Sequence, residues 1–168
     1  MATKKLIWVM LAVFIIAAWL MGSVSQTMAE TWKGKNLLHY TKGEGLFLPD
    51  AEGHWFGTFV REGVNIYDNG ELGWNKTIAT FDGAKGVGPF SQYTTVTFQD
   101  GSTTTSYMKG TSNGPTAQFS GEFIHGTGRF QGIKGTVMGT AKNLPPEKGE
   151  LIGKVAAEFT ITFTLPSK

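Results

Sequence analysis

The chain has 168 residues, no cysteine, and 15 Lys and Arg against 13 Asp and Glu, so it has neither a disulfide framework nor thiol chemistry. Lys4 and Lys5 account for the whole excess of positive charge, which removes the electrostatic footprint expected of a nucleic-acid binder. A single domain's length of chain must then hold its fold by a hydrophobic core alone.

Residues 1–29 are the first predicted element. Lys4 and Lys5 open it, Leu6 to Met21 is an unbroken apolar run, and Thr27 and Ala29 take the −3 and −1 places of a cleavage site before Glu30. This is the pattern of an export signal peptide, and it predicts a secreted or periplasmic protein. The competing reading is an uncleaved membrane anchor. However, the 17 residues from Leu6 to Gly22 span only about 25 Å as a helix, against roughly 30 Å of hydrocarbon. A membrane is a partner only if the segment stays uncleaved.

Residues 30–52 lack strand rhythm and read as an irregular N-terminal arm, and residues 53–168 as a β-barrel domain. Strands are predicted at 54–61, 73–82, 91–99, 102–110, 115–125 and 134–143, each rich in Thr, Val, Phe or Tyr. In the last strand Val155, Ala157, Phe159, Ile161, Phe163 and Leu165 alternate strictly with Ala156, Glu158, Thr160, Thr162 and Thr164. An eighth strand is expected at 64–67 or 36–41. Asn69-Gly70, Asp100-Gly101 and Asn113-Gly114 mark reversals, and no helical period is found beyond the signal. The predicted fold class is all-β, an eight-stranded antiparallel barrel. Closure would hide its strand edges, and its interior would hold side chains or one small ligand.

Between the sixth and seventh predicted strands lies HGTGRFQGIKG, residues 125–135. Its glycines are spaced G-x-G-x-x-x-G and lead into a strand, which fits neither a dinucleotide fingerprint nor a Walker loop. The alternative is a corner: Gly126 and Gly128 permit a sharp swing, and Phe130 folds inward to cover one end of the barrel.

Gly126-Thr127-Gly128-Arg129-Phe130, followed by Gly132, Ile133 and Gly135, resembles the G-G-T-G-x-F-x-x-A-x-G turn of the superfamily that joins allene oxide cyclases and dirigent proteins. The closing alternation to Leu165 resembles that superfamily's last strand. His125 replaces the usual first glycine, and Ile133 a usual small residue. The resemblance, to an exported bacterial-type member, implies a cofactor-free eight-stranded barrel with an apolar lumen, often a homotrimer. In the enzymes of the group the barrel holds a reactive intermediate in one conformation, by orientation and exclusion of water. The polar catalytic residues of the plant cyclases find no counterpart here. Gly53-His54-Trp55 is also similar to the G-x-W of a lipocalin first strand, where Trp closes the barrel floor, a second, calycin-like pointer to a barrel.

The site candidates follow. His39, His54 and His125 lack metal-ligand spacing, so no metal site is expected. No Ser lies in a nucleophile elbow. Glu122 and Glu158 are candidate general acids or bases if they face an apolar lumen, with Arg61 as a possible partner, and ordinary solvating residues if they face water. Trp55 with Phe59, Phe119 with Phe123, and Phe159 with Phe163 each share a strand face and are expected to line one lumen. Tyr93 and Tyr107 would add hydroxyls for a ligand's polar end. Three functions remain open: a binder of a small apolar molecule, a cofactor-independent isomerase or cyclase with Glu122, Glu158, Tyr93 and Tyr107 as candidate catalytic residues, and a structural homo-oligomer with a solid core.

Overall fold

Alternation of inward and outward side chains runs through the last strand, Lys154–Thr164, where Val155, Ala157, Phe159, Ile161 and Phe163 are buried. The computed structural model describes residues 28–148 and 153–167, and the barrel unit within it is Ala29–Pro166. Its strands are β1 (Glu30–Leu48), β2 (His54–Tyr67), β3 (Leu72–Ala84), β4 (Val87–Phe98), β5 (Thr103–Asn113), β6 (Thr116–Gly126), β7 (Lys134–Leu144) and β8 (Lys154–Thr164), with one 3₁₀ turn at Gly128–Phe130. Every strand pairs antiparallel with its neighbour in sequence, and β1 also pairs with β8, so the sheet closes into an eight-stranded barrel. The export signal expected over 1–29 lies, through residue 27, outside the described residues.

The expected irregular arm at 30–52 is corrected by this closure, because most of it is β1. Its inward set is Trp32, Gly34, Asn36, Leu38 and Tyr40, while Leu37 faces out, so hydrophobicity does not alternate along it. Pairing with β2 and β8 holds it in place, with a register shift between Tyr40 and Lys42. Of the two positions expected for the eighth strand, 36–41 falls in β1 and 64–67 extends β2.

One end of the barrel is plugged. The turn 127–133 folds inward so that Phe130 is buried, and its ring meets Phe98 at 4.7 Å, Trp32 at 6.0 Å and Phe163 at 6.1 Å between centroids. Trp32 stands edge-on to Phe163 at 5.1 Å. Each such ring pair adds about 0.5–1.5 kcal/mol beyond its buried area. The turn fits because a Cβ on Gly126 would lie 2.2 Å from the Phe130 carbonyl oxygen. Arg129 then clamps the plug from outside: it lies over Phe130 at 4.8 Å and Phe98 at 5.1 Å, and donates two 2.7 Å hydrogen bonds to the Glu71 carboxylate. The glycine-rich stretch is therefore a corner with an apolar stopper.

Candidate functional site

Aromatic side chains fill a small barrel unless something holds them to the wall, and here glycines on neighbouring strands do so. Phe159 pairs across from Gly34, Phe119 from Gly139 and Phe90 from Gly110. A Cβ built on those glycines would fall 2.5, 2.6 and 2.3 Å from the opposing ring. Each ring thus occupies space that a side chain would take and lies along the sheet. What is left is a lumen of about 410 Å³, within the range of small-molecule pockets.

Its walls differ in chemistry. From β6, β7 and β8 come Ala117, Phe119, Val137, Ala141, Ala157 and Phe159. From β2, β3 and β4 come Arg61, Asn65, Asn75, Thr77, Gln92 and Thr94, all buried. The polar wall is largely self-satisfied. Asn75 Nδ2 and Asn36 Nδ2 donate to Asn65 Oδ1 at 2.9 and 3.2 Å, and Thr77 Oγ1 donates to Asn75 Oδ1 at 2.9 Å. Having spent its one proton there, Thr77 must accept from Thr94 in their 2.8 Å contact. Asn65 Nδ2 donates to the Tyr67 hydroxyl at 3.1 Å, and burial pushes that phenol up to about 12, so it stays protonated.

Arg61 is the charge in this wall. Its Nη2 donates to Gln92 Oε1, and its guanidinium lies 5.0 Å from the Phe59 ring centre and 5.7 Å from that of Tyr40. Burial pulls its pKa down, with Tyr40 acting in the opposite direction, yet a guanidinium keeps its charge at neutral pH. Among the described residues, two buried side-chain polar atoms have no partner, Arg61 Nε and Asn36 Oδ1, and both residues line the lumen.

The mouth lies at the end opposite the plug, among the turns that join β1 to β2 and β3 to β4. Trp55 stacks there with Phe81 at 6.1 Å and Phe59 at 6.5 Å. The lipocalin-like expectation that this Trp closes the floor is thus replaced: the floor belongs to Trp32 and Phe130. Beside Trp55, His54 is held between two carboxylates, with Nδ1 2.7 Å from Asp50 Oδ1 and Nε2 2.7 Å from Asp82 Oδ1.

Of the six aromatics expected in the lumen, Trp55, Phe59, Phe119, Phe123 and Phe159 line it, while Phe163 is packed in the plug. The four candidate catalytic residues sit on the outer surface. Glu122 is exposed on β6, and Glu158 is 2.8 Å from Lys35, whose hydrogen bond holds it below the usual carboxylate range. The rings of Tyr93 and Tyr107 lie against each other, tilted, on the outside of the barrel at 4.8 Å between centroids, so they offer nothing to a lumenal ligand. Period two explains all four: Glu122 shares its face with Gln118 and Ser120, Glu158 with Thr160 and Thr162, Tyr93 with Thr95 and Thr97, and Tyr107 with Thr105 and Lys109. Arg61 is not near a carboxylate of either strand but inside, and its parity with Trp55 and Phe59 was the available signal. Among the described residues, no group of three or more His, Asp or Glu is placed to hold a metal ion.

No family model and no curated protein sequence matches the chain. Its structure is similar to that of the pterocarpan synthase dirigent protein PsPTS1, with a TM-score of 0.53 at 14% identity over 86% of this chain and 98% of that one. It is similar also to the pterocarpan synthase dirigent protein GePTS1, with a TM-score of 0.53 at 14% identity over 84% of this chain and 89% of that one. At this identity the likeness is one of fold: the chain forms a dirigent-like barrel.

Proposed function

We propose that this is an exported barrel protein that accommodates one small, largely hydrophobic molecule in its lumen. The observation that carries the reading is the space itself: rings laid on glycines keep about 410 Å³ clear, with a plug at one end. A solid core would instead fill that space with side chains. Export rests on the sequence pattern of residues 1–29.

A dirigent- or cyclase-like activity is the second reading, favoured by the fold likeness and by the arrangement of an apolar wall facing a polar one. Such a barrel would act by holding a reactive intermediate in one shape. Glu122 and Glu158 lie outside, so acid–base work would fall to the polar wall. A homo-oligomer belongs to the same proposal, supported by an exposed apolar row across three outer strand faces, Leu37, Val64 and Trp74, which are in register.

Native mass spectrometry of the protein, purified from its own host without detergent or organic extraction, tests the main reading. A mass exceeding the chain by one small molecule per subunit is expected. A bare mass, together with no uptake of the neutral fluorophore N-phenyl-1-naphthylamine, would overturn it.

A further inference from the structure

We infer that the molecule seated in the lumen carries an acid group, of the carboxylate class, that pairs with Arg61. This rests on the lumen-binding reading and specifies its ligand as an apolar monoacid. Arg61 is 8% exposed and stands midway along β2, facing inward. Its hydrogen-bonded partners are uncharged groups, the Gln92 amide and the Tyr40 phenol, and its Nε is unpartnered. Among the described residues, none that lines the lumen is an Asp or Glu. Glu62, the adjacent carboxylate on β2, turns outward to Lys76 at 3.3 Å.

A cation buried in a barrel wall is ordinarily neutralised by an anion. Here the described residues supply the guanidinium, part of its hydrogen bonding and a surrounding of rings, but no counter-charge. The planar fork of donors that remains matches a carboxylate's two oxygens. Burial lowers the pKa of this group against the opposing effect of Tyr40, and an anion beside it would add to that opposition. Apolar surface on β6 to β8 would receive the body of the same molecule.

The second orphan gives the ligand a direction. Asn36 Oδ1 lacks a donor, and Asn36 is paired with Asn65, four residues from Arg61 on β2 or about 13 Å along the strand. A ligand with its acid at Arg61 and a hydroxyl roughly that far along its body satisfies both atoms.

The test uses N-phenyl-1-naphthylamine fluorescence as a reporter of the lumen and two competitors with the same chain, decanoate and decan-1-ol. With the wild-type protein, decanoate is expected to displace the reporter at a concentration at least about tenfold below that needed for the alcohol. In Arg61→Met, with Arg61→Gln as a second variant should the first fold poorly, reporter uptake persists and the preference for the acid is lost. Reporter uptake with equal displacement by acid and alcohol in the wild type overturns the acid inference alone. An acid preference that survives both substitutions also overturns it. No reporter uptake by the folded wild type overturns the lumen-binding reading, and the inference with it.

Discussion

The imidazole of His54 reaches Asp82 through Nε2 and Asp50 through Nδ1, each at 2.7 Å, an arrangement in which both ring nitrogens can donate to carboxylates when the ring is protonated. The hydrogen bond to Asp82, followed by that to Asp50, raises the His54 pKa above its ordinary 6.5. The hydrogen bond from His54 lowers Asp50 below its ordinary 3.8. A raised histidine stabilises the fold fully below its unfolded pKa and loses that contribution as pH rises through the folded one. The lowered Asp50 loses its contribution as pH falls through its own depressed value. The melting-temperature advantage of the wild type over His54→Gln is therefore largest between the ordinary carboxylate and histidine values and shrinks as pH rises through the raised His54 value. An advantage that stays level or grows with pH would sink this account of the mouth.

At the other end, Trp32→Ala removes the ring that touches Tyr67, Phe98, Phe130 and Phe163 together. Loss of so large a side chain from an aromatic cluster is expected to cost about 3–5 kcal/mol in denaturant unfolding. A cost below about 1 kcal/mol would show that the plug is not a principal part of the core.

Gly34→Ala is a probe of how the lumen stays open. Its new Cβ would meet the Phe159 ring at 2.5 Å and the Ile66 carbonyl at 3.2 Å, so the ring must swing toward the lumen. Such overpacking costs about 1–3 kcal/mol. N-phenyl-1-naphthylamine uptake should fall even in protein that remains folded, whereas unchanged uptake would mean that the ring relaxes elsewhere.

Without ligand, Arg61→Met should be more stable than the wild type. Replacing a buried, uncompensated charge with an apolar side chain of similar length gains on the order of 1–4 kcal/mol. Thermal and urea unfolding of the ligand-free proteins measure it. A clear loss of stability would instead make Arg61 a structural element of the polar wall.

The double variant Glu122→Gln, Glu158→Gln should keep both the wild-type fold and its reporter uptake, because the two carboxylates lie on the outer face. Loss of uptake in folded protein would contradict that placement.

Much of the barrel could be read where hydrophobicity and burial agree. On β8 the alternation from Val155 to Phe163 is the buried set, and only Leu165 falls past the strand's end. On β3 they disagree: Trp74 and Ile78 face solvent while Asn75 and Thr77 are buried. A polar-lined lumen thus inverts the usual signal, which is why Asn65, Asn75 and Gln92 were not expected there. Arg61 read as a strand terminus because a charge is seldom buried, although β2 continues to Tyr67. The Gly34–Phe159 pair could not be seen in advance, since it depends on the register between the first and last strands.

The pairing of β1 with β8 also sets an order of events. Thr31 and Thr162 are hydrogen-bonded neighbours separated by 131 positions in the chain, so this seam closes the longest loop in the barrel and repays its entropy last. Until Lys154–Thr164 has been delivered, β1 is paired on one side only and the plug around Trp32 lacks Phe163. The open sheet would carry two bare edges in the interval, the state in which strands from separate chains can join. Efficient maturation of this protein therefore depends on how quickly its final eleven-residue strand reaches its first.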